Sequence, residues 1–109
     1  MNDELSPLLE RYRTDPGIRA ALLVSADGFL VAASAAADIN AEAVAAQVAD
    51  MLAVGHRLAV ELGQQETRFV TFELTKLNVV VAPFDGQLLL VLAGDPDALQ
   101  LSYTLRSDA

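Results

Sequence analysis

The chain has no cysteine and no tryptophan. Without cysteine there is no disulfide framework and no thiolate metal site. One histidine, His56, stands alone, whereas metal sites draw on several convergent His, Cys or carboxylate ligands. Basic residues are also scarce: seven Lys and Arg face fifteen Asp and Glu, for a formal net charge of −8. A nucleic-acid partner needs a basic patch to displace counterions from phosphate, and the same shortage weighs against docking on anionic lipid. No uninterrupted apolar run approaches the roughly 18 residues of a membrane span. The opening residues, MNDELSPLLERYR, lack the basic start and apolar run of a signal peptide. These absences predict a cytoplasmic protein with neither a nucleic-acid partner nor membrane insertion.

What the chain has in quantity is apolar mass: 53% of its 109 residues are hydrophobic. That is ample for a core, and the length fits one domain, residues 1–109. A domain of this size buries only about two thirds of its unfolded surface. So apolar a sequence therefore predicts leftover apolar surface, which oligomers commonly hide.

Leu5, Leu8, Leu9 and Tyr12 fall at helical spacing, so residues 3–13 read as a short amphipathic helix, stopped by Asp15-Pro16-Gly17. IRAALLVS (18–25) and FLVAAS (29–34) flank Asp27-Gly28, which predicts a hairpin with a type I′ turn and positive φ at both central residues. The first strand is apolar at nearly every position and should be covered on both faces. Residues 38–63 read as a long helix, with Asn40 as N-cap and Gly63 just past its end. Strands follow at 67–74, 77–84 and 87–94, the last two joined at Asp85-Gly86. Asp95-Pro96 then opens a final helix carrying Leu99, Leu101 and Leu105. The order α-β-β-α-β-β-β-α predicts an α/β (α+β) fold: a three-layer α/β/α sandwich with one five-stranded, mostly antiparallel sheet.

At about 100° per residue the long helix divides into three stripes. Val44, Val48, Met51, Leu52, Leu58, Ala59 and Leu62 form a broad apolar face, expected to lie on the sheet with Gly55 in its middle. Ala43, Gln47, Asp50, Arg57 and Glu61 form a polar face interrupted by Val54. Ala45, Ala46, Ala49, Ala53, His56 and Val60 form a third stripe whose small side chains would admit a second helix.

Little in the sequence points to catalysis. Ser25, Ser34, Ser102 and Ser107 lack the Gly-x-Ser-x-Gly setting of an elbow nucleophile, and neither phosphate-binding glycine motif occurs. Asp27 and Asp85 are accounted for by turn chemistry. No convergent polar set selects a small-molecule ligand. The expectation is a protein that is not an enzyme, with no catalytic, cofactor-binding or metal-ligating residues and no cofactor.

The element order, the DG hairpin in ALLVSADGFLVA, the Ala-rich long helix and the closing LNVVVAPFDGQLLLVLAG together resemble the roadblock light-chain family, over roughly Leu5 to Leu105. The stand-alone length looks like the bacterial branch. The resemblance implies a homodimer in which long helices pack together and third strands pair across a two-fold axis. On this chain that places Ala45, Ala49, Ala53, His56 and Val60 in the dimer interface with the third strand, Arg68 to Leu74, including Arg68, Val70 and Phe72. Ala53→Glu is then expected to split the dimer. The resemblance further implies a non-catalytic scaffold that binds a small Ras-like GTPase and acts on its GTP hydrolysis. The polar stripe Gln47, Asp50, Val54, Arg57 and Glu61 is the expected partner-binding surface. The resemblance also implies operons shared with a sensor kinase and a small GTPase, as for other bacterial members, which makes a nucleotide-insensitive signalling scaffold the alternative. The chain lacks the long tail of some GTPase-activating members, so the resemblance implies binding more directly than activation.

Overall fold

The computed structural model of the protein describes residues 5–65 and 69–99. Helix α1 (Ser6–Tyr12) leads into β1 (Ile18–Ser25) and β2 (Leu30–Ala35). Helix α2 (Ala41–Glu61) follows, then β3 (Val70–Glu73), β4 (Asn78–Asp85) and β5 (Leu88–Gly94). A helical turn begins at Pro96 and continues to Leu99, the last described residue; Leu101 and Leu105, expected on that helix, lie outside the described residues. The five strands form one sheet in the order β2-β1-β5-β4-β3, and every pairing is antiparallel.

Both faces of the sheet carry helices, as the three-layer expectation requires. Ala20, Leu22 and Val24 of β1 point to one face, where they meet Ala45 and Val48 of α2 with Val81, Leu89, Val91 and Ala93. Ala21 and Leu23 point to the other, where they meet Leu9 of α1 and Ala32. Five consecutive residues of β1, Ala20 to Val24, are thus buried, which explains why that strand is apolar without alternation. Side chains here are held on two sides, as in a close-packed core.

The local signals behave as their chemistry demands, with one correction. Asn40 caps α2: its Oδ1 accepts the Ala43 N–H at 3.1 Å. Gly63, just beyond the helix, takes a positive φ of 75°. The type I′ expectation fails at Asp27-Gly28, because among the described residues none other than glycine has positive φ. In this first hairpin, the Gly28 N–H donates to the Ser25 carbonyl at 2.9 Å and Gly28 has φ 94°, so the loop is the three residues Ala26-Asp27-Gly28. An ordinary turn followed by a left-handed glycine absorbs the reversal, and Asp27 is spared the strained conformation. In the second, Asp85 pairs with Leu88, so Gly86 and Gln87 form the loop; Gly86, φ 55°, holds the first central position, glycine's place in a type II′ turn.

A close backbone contact ties the start of the sheet to its end. The Asp95 N–H donates to the Gly17 carbonyl at 2.7 Å. A Cβ at Gly94 would stand 2.5 Å from that carbonyl oxygen and 3.0 Å from the Ile18 Cα, so only glycine fits.

Candidate interaction surface

Helix α2 has apolar or small residues around most of its circumference, so its rotation on the sheet decides which of them remain available. Ala41, Val44, Ala45, Val48 and Leu52 pack on the core. Small residues at 41 and 45 let the helix axis sit close over β1 and β2, the two strands that it covers. Met51, Leu58 and Leu62, expected on the sheet, are instead exposed. The helix is turned so that its large apolar side chains face sideways.

Those side chains border a groove. Helix α2 covers one part of its face of the sheet and leaves the β3–β4 part open. Between them lies a depression of about 350 Å³ lined by Ala43, Val44, Gln47, Val48, Met51, Phe72, Leu74 and Val79. Gln47 is its only polar side chain. Along the helix the same flank continues through Val54, Leu58 and Leu62, and across the groove stands the exposed Leu74. What a surface of this composition offers is chiefly apolar area. Among the described residues, no group of three or more His, Cys, Asp or Glu side chains is placed to hold a metal ion.

The outer margin of the groove is a free strand edge. The Leu74 N–H donates to the Leu77 carbonyl at 2.8 Å, which fixes the alternation of the β3–β4 ladder. Phe72 and Val70 turn their backbone groups toward β4, while Thr71 and Glu73 turn theirs outward, where no strand among the described residues pairs with them. Phe72 sends its side chain into the groove.

The stripe expected at the dimer interface is placed differently. Ala45 is wholly buried in the chain's own core and has no surface to give a partner, a correction that follows from the helix rotation. Ala49 is half-buried against the first hairpin: a Cβ on Gly28 would lie 3.4 Å from the Ala49 Cβ and 3.6 Å from the Ala46 Cα. Ala53, His56 and Val60 are exposed. At about 100° per residue Ala53 and Val60 share the flank of Ala46 and Ala49. This flank looks toward the β1–β2 turn, opposite to the flank that faces β3. The alanine stripe and the third strand, expected together, therefore lie on opposite sides of α2. Val70 and Phe72 stand on the groove side, and Arg68 lies outside the described residues.

Gln47, Asp50, Val54, Arg57 and Glu61, the expected partner-binding stripe, are all exposed on the outer side of α2. By length and composition α2 is apolar enough to cross a membrane. Its outer side nevertheless carries these charges while its inner side is packed on the sheet, as in a helix of a folded domain.

Comparison with known proteins agrees with this architecture. The Roadblock/LC7 domain family matches residues 4–93. No curated protein matches the chain in sequence. Among solved structures, Myxococcus xanthus MglB superposes with a TM-score of 0.80 at 20% identity, covering 97% of this chain and 90% of that one. The gliding protein MglB of Thermus thermophilus gives 0.77 at 25% identity, covering 94% and 78%. A Roadblock/LC7 domain from Streptomyces avermitilis gives 0.77 at 20% identity, covering 84% and 78%.

Proposed function

The chain belongs to the Roadblock/LC7 domain family, and from that premise we propose that it is a non-catalytic regulatory scaffold: a homodimer that binds a small Ras-like GTPase and modulates its GTP hydrolysis. The observation that carries this reading is the continuity of three features on one side of the domain. These are the exposed apolar flank of α2 (Met51, Val54, Leu58, Leu62), the apolar groove beside it, and the outward backbone groups of Thr71 and Glu73. A two-fold axis beside β3 would pair two such edges antiparallel and bring two such helix flanks together over the seam, each filling the other's groove. The interface proposed is thus Val70 and Phe72 of β3 with Met51, Leu58 and Leu62 of α2. It replaces the alanine stripe.

In that dimer the outer sides of the two α2 helices would lie next to each other. Gln47, Asp50, Arg57 and Glu61, with Val54 at their margin, would then recur twice on one platform, and that is the surface proposed for the GTPase. Similarity to MglB, a gliding protein in Thermus thermophilus, supports a role in regulation.

The test is affinity capture on the immobilised full chain from lysate of its own cells, with and without a non-hydrolysable GTP analogue, read by mass spectrometry. Enrichment of a Ras-like GTPase only with the analogue supports the reading. Enrichment of a sensor kinase irrespective of nucleotide, with no GTPase, overturns it in favour of a signalling scaffold.

A further inference from the structure

The sheet has a second free edge, on β2, at the opposite end from the seam proposed above. It stays open in that dimer, whereas a seam on the flank of Ala46 and Ala49, beside the β1–β2 turn, would crowd it. The Ala36 N–H donates to the Arg19 carbonyl at 2.9 Å, which sets the alternation of the β1–β2 ladder. Ala32 and Ser34 turn their backbone groups toward β1; Ala33 and Ala35 turn theirs outward, and no strand among the described residues pairs with them.

Exposed edges are usually guarded by charge or proline. On β3 the outward position 73 is a glutamate. On β2, with the sequence LVAASA, there is neither a charge nor a proline. The charged group that reaches this strand comes from the end of α1: the Arg13 Nη1 donates to the Ser34 Oγ at 3.4 Å. The Arg13 Nε is closed off from solvent and has no hydrogen-bond partner among the described residues. A guanidinium that reaches Ser34, in a chain of net charge −8, thus overlooks an unguarded edge. On the opposite face, at the turn end of β2, Ala46 and Ala49 of α2 stand beside Gly28 and offer little more than methyl groups.

We propose that the outer edge of β2 takes up an extended segment of a partner protein by strand addition, with a carboxylate of that segment bound by Arg13. The backbone of the segment would meet the N–H and C=O groups of Ala33 and Ala35. Its side chains on one face would lie over the small residues of α2, and on the other its carboxylate would satisfy the guanidinium, the pairing with the best charge and geometry for Arg. A second copy of this chain does not fit this edge. Two β2 strands paired about a two-fold would bring two Arg13 side chains together, with no acidic residue on β2 to offset them.

The probe is a fluorescein-labelled peptide, acetyl-Val-Thr-Asp-Thr-Val-Thr-amide, beside the same peptide with Lys in place of Asp. Binding to the full chain is followed by anisotropy and by amide hydrogen exchange. The expected result is saturable binding of the Asp peptide with slowed exchange at Ala33 and Ala35. The Lys peptide, and the Asp peptide on Arg13→Gln, should each bind about tenfold more weakly. Ala33→Pro, which removes one outward donor at an edge where proline is tolerated, should reduce binding further. If that variant does not fold, Arg13→Gln and the exchange pattern still decide. Lack of saturation by the Asp peptide at millimolar concentration overturns the proposal, as does protection at Thr71 and Glu73 instead. Protection of Ala33 and Ala35 that rises with protein concentration in the absence of peptide overturns it in favour of a second copy.

Discussion

Leu58 separates the two flanks of α2 most cleanly. It is 57% exposed in the single chain, so more than half of its side chain remains to be removed from water. Full burial of a leucine is worth about 1.5–3 kcal/mol, which leaves roughly 1–1.5 kcal/mol per copy for the part still exposed. A two-fold interface counts the residue twice, and Leu58→Ala should therefore weaken the proposed dimer by about 2–3 kcal/mol, or roughly 30- to 150-fold at 1.4 kcal/mol per decade. Leu58→Glu should leave only monomer at accessible concentrations, because a carboxylate would be taken out of water without a partner. Ala53→Glu, on the other flank, should stay solvated and sediment as the wild type does. Sequence periodicity alone leads to the reverse expectation for Ala53. Sedimentation equilibrium over a dilution series, with urea unfolding of each monomer as control, measures all three. Dissociation by Ala53→Glu, with Leu58→Ala unchanged, would refute the placement of the seam beside β3.

Three further outcomes test the fold that positions these surfaces. Gly94→Ala should destabilise the domain by about 1–3 kcal/mol in urea, because its Cβ meets backbone at Gly17 and Ile18 rather than a movable side chain. Asn40→Ala removes the N-terminal side-chain cap of α2 and should cost about 1 kcal/mol, seen as faster amide exchange in the first helical turn. Arg19→Ala should change stability by less than about 0.5 kcal/mol at any salt concentration, since the Arg19–Asp38 pair is solvent-exposed on both sides.

The element order and both hairpins were legible because turn and cap chemistry is local: Asn40, Gly28, Gly63 and Gly86 act within a few residues of themselves. The turn types were not legible from Asp-Gly alone. Whether glycine takes the first central position, as Gly86 does, or follows an ordinary turn, as Gly28 does, depends on where the ladder stops pairing. The rotation of α2 was also out of reach. When a helix is apolar or small around most of its circumference, periodicity identifies the flanks but not their assignment. Val44, Val48 and Leu52 do face the sheet, but Ala41 and Ala45 join them there while Met51, Leu58 and Leu62 turn to the side. The Arg13–Ser34 contact joins residues 21 positions apart and leaves no local pattern to read.

The sheet order also determines when this fold can assemble. The centre of the sheet pairs β1 with β5, so the first strand made waits for the last, from Ser25 to Leu88. At roughly 5–20 residues per second that is several seconds of synthesis during which the β1–β2 hairpin and the inner side of α2 have no sheet to lie on. Local contacts cannot shorten the wait, and the same separation slows refolding of the finished chain, whose decisive contact is among its most distant in sequence. A ribosome carrying a chain truncated before residue 88 should therefore hold a protease-sensitive segment with an unguarded, uncharged β2 edge, open to the molecular chaperones that bind extended apolar chain.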